Sequence, residues 1–179
     1  MLITLSKNKE MKQHLLFSLV FLCTVIFSNC NSSVPTNSEP ENTGVVFPNA
    51  KYTSVIAYHF EDLEGNGIIS KEGVLNPSIK KEKELTEKEI NSFLTTINDS
   101  KTYGGLYTRC FKPRLGLVFY NENKAVAHIS ICFECSQQTA FPLIKAYVDT
   151  PKGAHGYSEE GFRNLTNFCH NLGFGQCGE

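Results

Sequence analysis

Five of the seven cysteines of this 179-residue chain lie at or beyond position 110: Cys110, Cys132, Cys135, Cys169 and Cys177. Three kinds of chemistry fit them. Cys110, Cys132 and Cys135 together with His128 supply four ligands of the type a tetrahedral zinc site takes. Cys132-Phe133-Glu134-Cys135 has the spacing of a thiol–disulfide exchange motif, and Lys112 opposite Cys132 would lower its thiol pKa. The third possibility is structural cross-linking, which an exported chain favours. That reading is preferred, with Cys110 joined to Cys135, Cys169 to Cys177, and Cys132 left as a thiol. It requires no metal, no cofactor and no active site.

Other constellations are weaker. Asp62-x-Glu64-x-Asn66-Gly67 matches the front of a calcium loop, but position twelve is Gly73 where a bidentate glutamate is required, so a turn explains it better. Lys112 and Arg114 flank Pro113 and, with His128 and Cys132, mark a possible binding patch on the polar face of a hairpin. No nucleophile elbow or glycine-rich phosphate loop is legible, so catalysis is not expected. Seventeen Lys and Arg against eighteen Asp and Glu give a net charge of −1. Without a long basic block, nucleic acid is excluded as a natural partner.

These residues need a scaffold. Tyr107–Tyr120 and Lys124–Cys135 are predicted to pair through the loop Asn121-Glu122-Asn123, with facing residue numbers summing to 244. That register puts Phe111, Leu115, Leu117 and Phe119 on one face with Ala125, Ala127, Ile129, Ile131 and Phe133. The opposite face then carries Cys110, Lys112, Arg114, Gly116, His128, Ser130, Cys132 and Glu134, and is expected to stay open. A bulge beyond Ile131 would set Cys135 opposite Cys110 at ~4.5–5.5 Å between Cα atoms, close enough for a disulfide. Lys51–Phe60 reads as a first strand leading into a hairpin turn at Glu64–Gly67, Lys80–Glu84 as a solvated charged run, and Phe141–Val148 as a further strand. Thr86-x-x-Glu89 announces a helix over Glu87–Asn98. Ser158 opens a second helix whose Phe162, Leu165, Cys169 and Leu172 share a face and which Gly173 ends. The expected fold is α+β: an antiparallel sheet of about four to five strands with two helices packed on one face.

Three regions follow: 1–29 a signal peptide, 30–49 a disordered tether, and 50–179 a single α+β domain. Leu15–Phe27 is an apolar run of 13 residues behind Lys7, Lys9 and Lys12, an export layout too short for the ~20 residues of a membrane-spanning helix. Cys30 after that run, followed by Asn31-Ser32-Ser33, resembles the acylated cysteine of a bacterial lipoprotein signal, although Phe27 and Asn29 depart from its usual residues. Two acyl chains would anchor the protein stably, at ~0.8 kcal/mol per buried methylene.

The runs Cys110-Phe111-Lys112-Pro113-Arg114-Leu115-Gly116 and Cys132-Phe133-Glu134-Cys135 resemble a group of uncharacterised exported lipoproteins of Bacteroidota-type bacteria, a likeness covering roughly residues 52–172. The resemblance implies location and architecture but no reaction. The expected protein is a non-catalytic lipoprotein held in the cell envelope through its N-terminal lipid, facing the periplasm or exterior and binding another envelope macromolecule. The alternative is a zinc-binding or thiol-redox envelope protein using Cys110, His128, Cys132 and Cys135.

Overall fold

The computed structural model describes residues 44–178. The signal peptide, Cys30 and residues 30–43 of the tether lie outside the described residues. In chain order the elements are β1 (Ser54–Phe60), β2 (Ile79–Glu84), α1 (Glu87–Asn98), β3 (Tyr103–Gly105), β4 (Leu115–Asn121), β5 (Lys124–Cys132), β6 (Gln137–Phe141), α2 (Lys145–Val148), β7 (Gly156–Tyr157) and α3 (Glu159–Asn171), with a 3₁₀ turn at Ser100–Thr102. Five strands form an antiparallel sheet in the order β2-β1-β4-β5-β6, and β3 pairs with β7. Helices α1 and α3 cover one face of the larger sheet, giving the α+β arrangement expected.

Both long helices start where their side chains can satisfy free backbone amides. Thr86 and Glu89 form a reciprocal capping box at α1. Lys83 Nζ at 2.7 Å from Glu89, with the Thr86 amide, holds the Glu89 carboxyl down to about 2. Ser158 caps α3, and Gly173 follows it at φ 75°, a left-handed conformation that costs glycine little. Ile90, Phe93 and Ile97 from α1 meet Leu165 and Cys169 from α3 over Val55, Ala57, Leu117 and Ile129 of the sheet.

The β4–β5 register differs from the expected one by two residues. Leu115 faces Ile131 and Val118 faces His128, and a bulge between Phe119 and Tyr120 leads into a two-residue turn, Glu122-Asn123. A shift of two preserves side-chain parity, so Leu115, Leu117, Phe119, Ala127, Ile129 and Ile131 share the core face as predicted. Beyond the bulge parity inverts: Val126 joins that core, whereas Ala125 packs on the opposite face.

Other expectations are corrected. Lys80–Glu84 is solvated as expected, but it is also most of edge strand β2, which suits charged side chains because one edge faces water. The turn at Glu64–Gly67 does not lead into a hairpin; residues 61–78 instead fold across the second face of the sheet. There Ile68 packs with Tyr58, Phe60 and Val118, so that face is not left open. The segment Phe141–Val148 is not a strand: β6 ends at Phe141, just before Pro142, and the short helix α2 follows. The packed body also begins before residue 50, since Phe47 is fully enclosed and Asn98 bonds both its backbone groups.

Candidate functional site

Three sulfurs meet where β5 ends. Past Cys132 the chain makes a tight turn over Phe133–Ser136, closed by Ser136 N–H to the Phe133 carbonyl at 3.1 Å, and returns as β6. The segment before β4 runs beside this turn. Arg114 N–H donates to the Ile131 carbonyl at 3.0 Å and Thr108 N–H to the Cys135 carbonyl at 3.1 Å, while the Gln137 amide donates to the Thr108 carbonyl. Cys110 and Cys135 are thereby brought to a Cα separation of 5.6 Å and are disulfide-bonded; Cys169 and Cys177 form the second bond. Both are the expected pairs, but a turn beyond the end of β5 delivers Cys135, not a bulge within the strand.

Cys132 is a buried free thiol, and its sulfur and those of Cys110 and Cys135 all lie within 4.8 Å of one another. Its Sγ accepts the Lys112 amide hydrogen at 3.3 Å, and the thiol donates to Glu134 Oε2 at 3.8 Å. Arg114 Nε holds the other Glu134 oxygen at 3.1 Å, and Arg114 Nη1 lies 3.8 Å from Glu61. Burial pushes the Cys132 thiol up; the Lys112 and Cys135 amides oppose this, and the Glu134 carboxylate reinforces it. Lys112 therefore does not lower the thiol through its ammonium as expected, because its side chain is exposed and its backbone makes the contact.

The anticipated patch divides. Lys112, Arg114 and Cys132 cluster, but His128 lies farther along β5, paired with Phe141 and stacked on its ring at 5.9 Å. Its Nδ1 has no hydrogen-bond partner, and burial lowers its pKa. The four-ligand set of the zinc reading is thus not assembled: among the described residues, the metal-competent group there consists of the three cysteines alone, two of them bonded to each other. The calcium-like loop is likewise committed elsewhere. Asp62 accepts the Glu64 and Asn66 amides at 2.8 and 3.0 Å and Asn76 Nδ2 at 2.8 Å, which makes it the organiser of a turn.

An aromatic edge beside the sulfurs escaped sequence reasoning. Tyr157 donates to Gln138 Oε1 at 3.0 Å, Gln138 Nε2 to the Tyr103 hydroxyl at 3.2 Å, and Tyr103 to the Ile97 carbonyl at 2.7 Å. Burial holds both tyrosines above their ordinary pKa. From Tyr103 the rings continue outward through Tyr147 and His155 to Tyr107, with centroids 5.4, 5.2 and 6.5 Å apart. Beside this outer end Leu106 is 85% exposed and Tyr107 40% exposed. Tyr103 and Tyr107 stand 40 or more positions from Tyr147 and Tyr157, and no local pattern in the sequence says that these segments are brought together. Elsewhere, residues 61–78 enclose an open hollow of about 680 Å³ whose apolar wall includes Leu63, Val74 and Leu75.

Among the described residues no helix is long and apolar enough to cross a membrane. No protein-family model, curated protein or solved structure matches the chain.

Proposed function

We propose that the protein is a lipid-anchored domain of the cell envelope that binds another envelope macromolecule, a protein, through the edge formed by Leu106, Tyr107 and His155. The observation that carries this reading is an exposed leucine beside a half-exposed tyrosine on a backbone clamped by a disulfide. Ordering flexible side chains and loops opposes association by ~0.5–1.5 kcal/mol per side chain. The Cys110–Cys135 bond and the Gln137 amide meet much of that cost in the free protein, because they restrain the segment that presents these residues. Aromatic anchors of this kind concentrate binding energy at protein interfaces. The leader, and Cys30 behind it, support export and acylation; the domain would then act at a membrane surface. A second reading, thiol–disulfide chemistry, is favoured by the closeness of Cys132 to the Cys110–Cys135 bond.

The binding reading is tested in the native host with full-length protein carrying a photo-activatable residue at Leu106 or, as control, at Glu122 in the distant β4–β5 turn. A discrete covalent adduct is expected from position 106 alone, and weakened by Tyr107→Ala. No adduct at 106, or the same adducts from both positions, would overturn it. In the same cells Cys30→Ala is expected to leave the membrane fraction; retention of a processed, membrane-bound variant would refute the anchor.

A further inference from the structure

We propose that Cys132 and the Cys110–Cys135 bond form an internal exchange pair, in which the Cys132 sulfur attacks Sγ of Cys135 and displaces Sγ of Cys110. The product is an isomer with a Cys132–Cys135 bond and a thiol at Cys110. One S–S bond forms and one breaks, and one thiol is consumed while another is produced. The proton passes from Cys132 to Glu134 and reaches the departing Cys110 sulfur through solvent. No external oxidant or reductant takes part.

The arrangement of groups around the three sulfurs carries this inference. All lie within 4.8 Å of one another, so the attacking atom is already beside the bond it must break. Glu134 Oε2, 3.8 Å from the Cys132 sulfur, stands where the proton must leave, and Arg114 holds that carboxylate in place. The Lys112 amide, 3.3 Å from the same sulfur, stabilises the thiolate that attacks. Cys132 and Cys135 flank two residues of a turn, the spacing at which paired cysteines readily close a disulfide. Burial keeps Cys132 in its thiol form at rest, consistent with the bond observed between Cys110 and Cys135.

Exchange would move the reactive sulfur outward. Cys132 and Cys135 are buried, whereas Cys110 is half-buried with the Thr108 hydroxyl 3.2 Å away. A thiol there could meet an external protein or low-molecular-weight disulfide. Its release would also free the segment bearing Leu106 and Tyr107 from its covalent clamp. The inference rests on sulfur geometry and stands independently of the binding reading, since its test requires no partner.

The experiment uses the folded full-length chain, alkylated with iodoacetamide under native, non-reducing conditions and digested with trypsin without reduction. Trypsin separates Cys110, in the peptide Cys110–Arg114, from Cys132 and Cys135, both in Ala125–Lys145. The expected result is a free, alkylated Cys110 peptide together with an unalkylated Ala125–Lys145 peptide carrying an internal bond. This product should form several-fold more slowly in Glu134→Gln and be absent in Cys132→Ser, with Cys132→Ala replacing the serine variant if that does not fold. Linked peptides alkylated at Cys132 or Cys135, linked peptides that never acquire label, or Cys110 labelling that persists in the Cys132 variants would each overturn the proposal.

Discussion

His59 is 7% exposed, stacks on Phe174 at 5.9 Å, and has no partner for either ring nitrogen. Burial lowers its pKa below the ordinary 6.5, with Lys81, Arg114 and Lys80 acting in the same direction and Glu61 against it. The unfolded chain therefore binds the proton more readily, so this residue's contribution to stability is complete above pH 6.5 and declines as pH falls below it. His59→Phe removes the titrating group and the two unsatisfied nitrogens, each of a kind that costs roughly 1–3 kcal/mol when buried. The variant is expected to be at least as stable as wild type at pH 7.5 and to gain on it at pH 5. Thermal unfolding at both values decides the matter; a gap that stays constant or narrows at pH 5 would count against this account. Sequence alternation does not reveal this burial, because Tyr58, His59 and Phe60 are all enclosed, on two different faces.

At the scale of elements, the 61–78 excursion replaces the open sheet face that pattern reasoning implied. It is held by the Ile68 amide, which donates to the buried Ser130 hydroxyl at 2.7 Å, and by Ile68 itself seated over Gly116. A Cβ added at Gly116 would lie 2.6 Å from the Ile68 Cβ, so glycine is required by the close approach of Ile68. Ile68→Ala should cost ~2–5 kcal/mol through loss of packing, and Gly116→Ala ~1–3 kcal/mol through overpacking. Because both changes act on one contact, the double variant is expected to fall short of their sum. Urea unfolding of the three variants measures this coupling; strict additivity would mean that Ile68 and Gly116 do not meet.

Over the whole molecule, the disulfides restrain chains of different length. Cys110 and Cys135 are 25 positions apart, and Cys169 and Cys177 are 8. Restriction of the unfolded state predicts about 3 kcal/mol for the longer loop and somewhat less for the shorter, against a total of ~5–15 kcal/mol for a typical domain. The double variant Cys110→Ser/Cys135→Ser should therefore unfold at a lower denaturant concentration than Cys169→Ser/Cys177→Ser. Equal or reversed midpoints would show that strain or native contacts outweigh loop entropy here.

The sequence alone determined α1 and α3, because capping and helical spacing are decided within a few residues: Thr86 with Glu89, and Ser158 with the Leu165–Cys169 face. It also determined the core face of the β4–β5 hairpin, since side-chain parity survives a slip of two; the cysteine pairs it named as expectations were fixed only by the fold, which brings Cys110 beside Cys135 and Cys169 beside Cys177. The tertiary structure decided the rest. Strand β2 exists because β1 offers its edge, Phe47 joins the core through Asn98 fifty-one positions away, and residues 61–78 settle on Ser130 sixty-two positions from Ile68. The meeting of Cys132 with the Cys110–Cys135 bond depends likewise on segments joined only by folding. Such contacts arise from packing between surfaces that local periodicity does not specify.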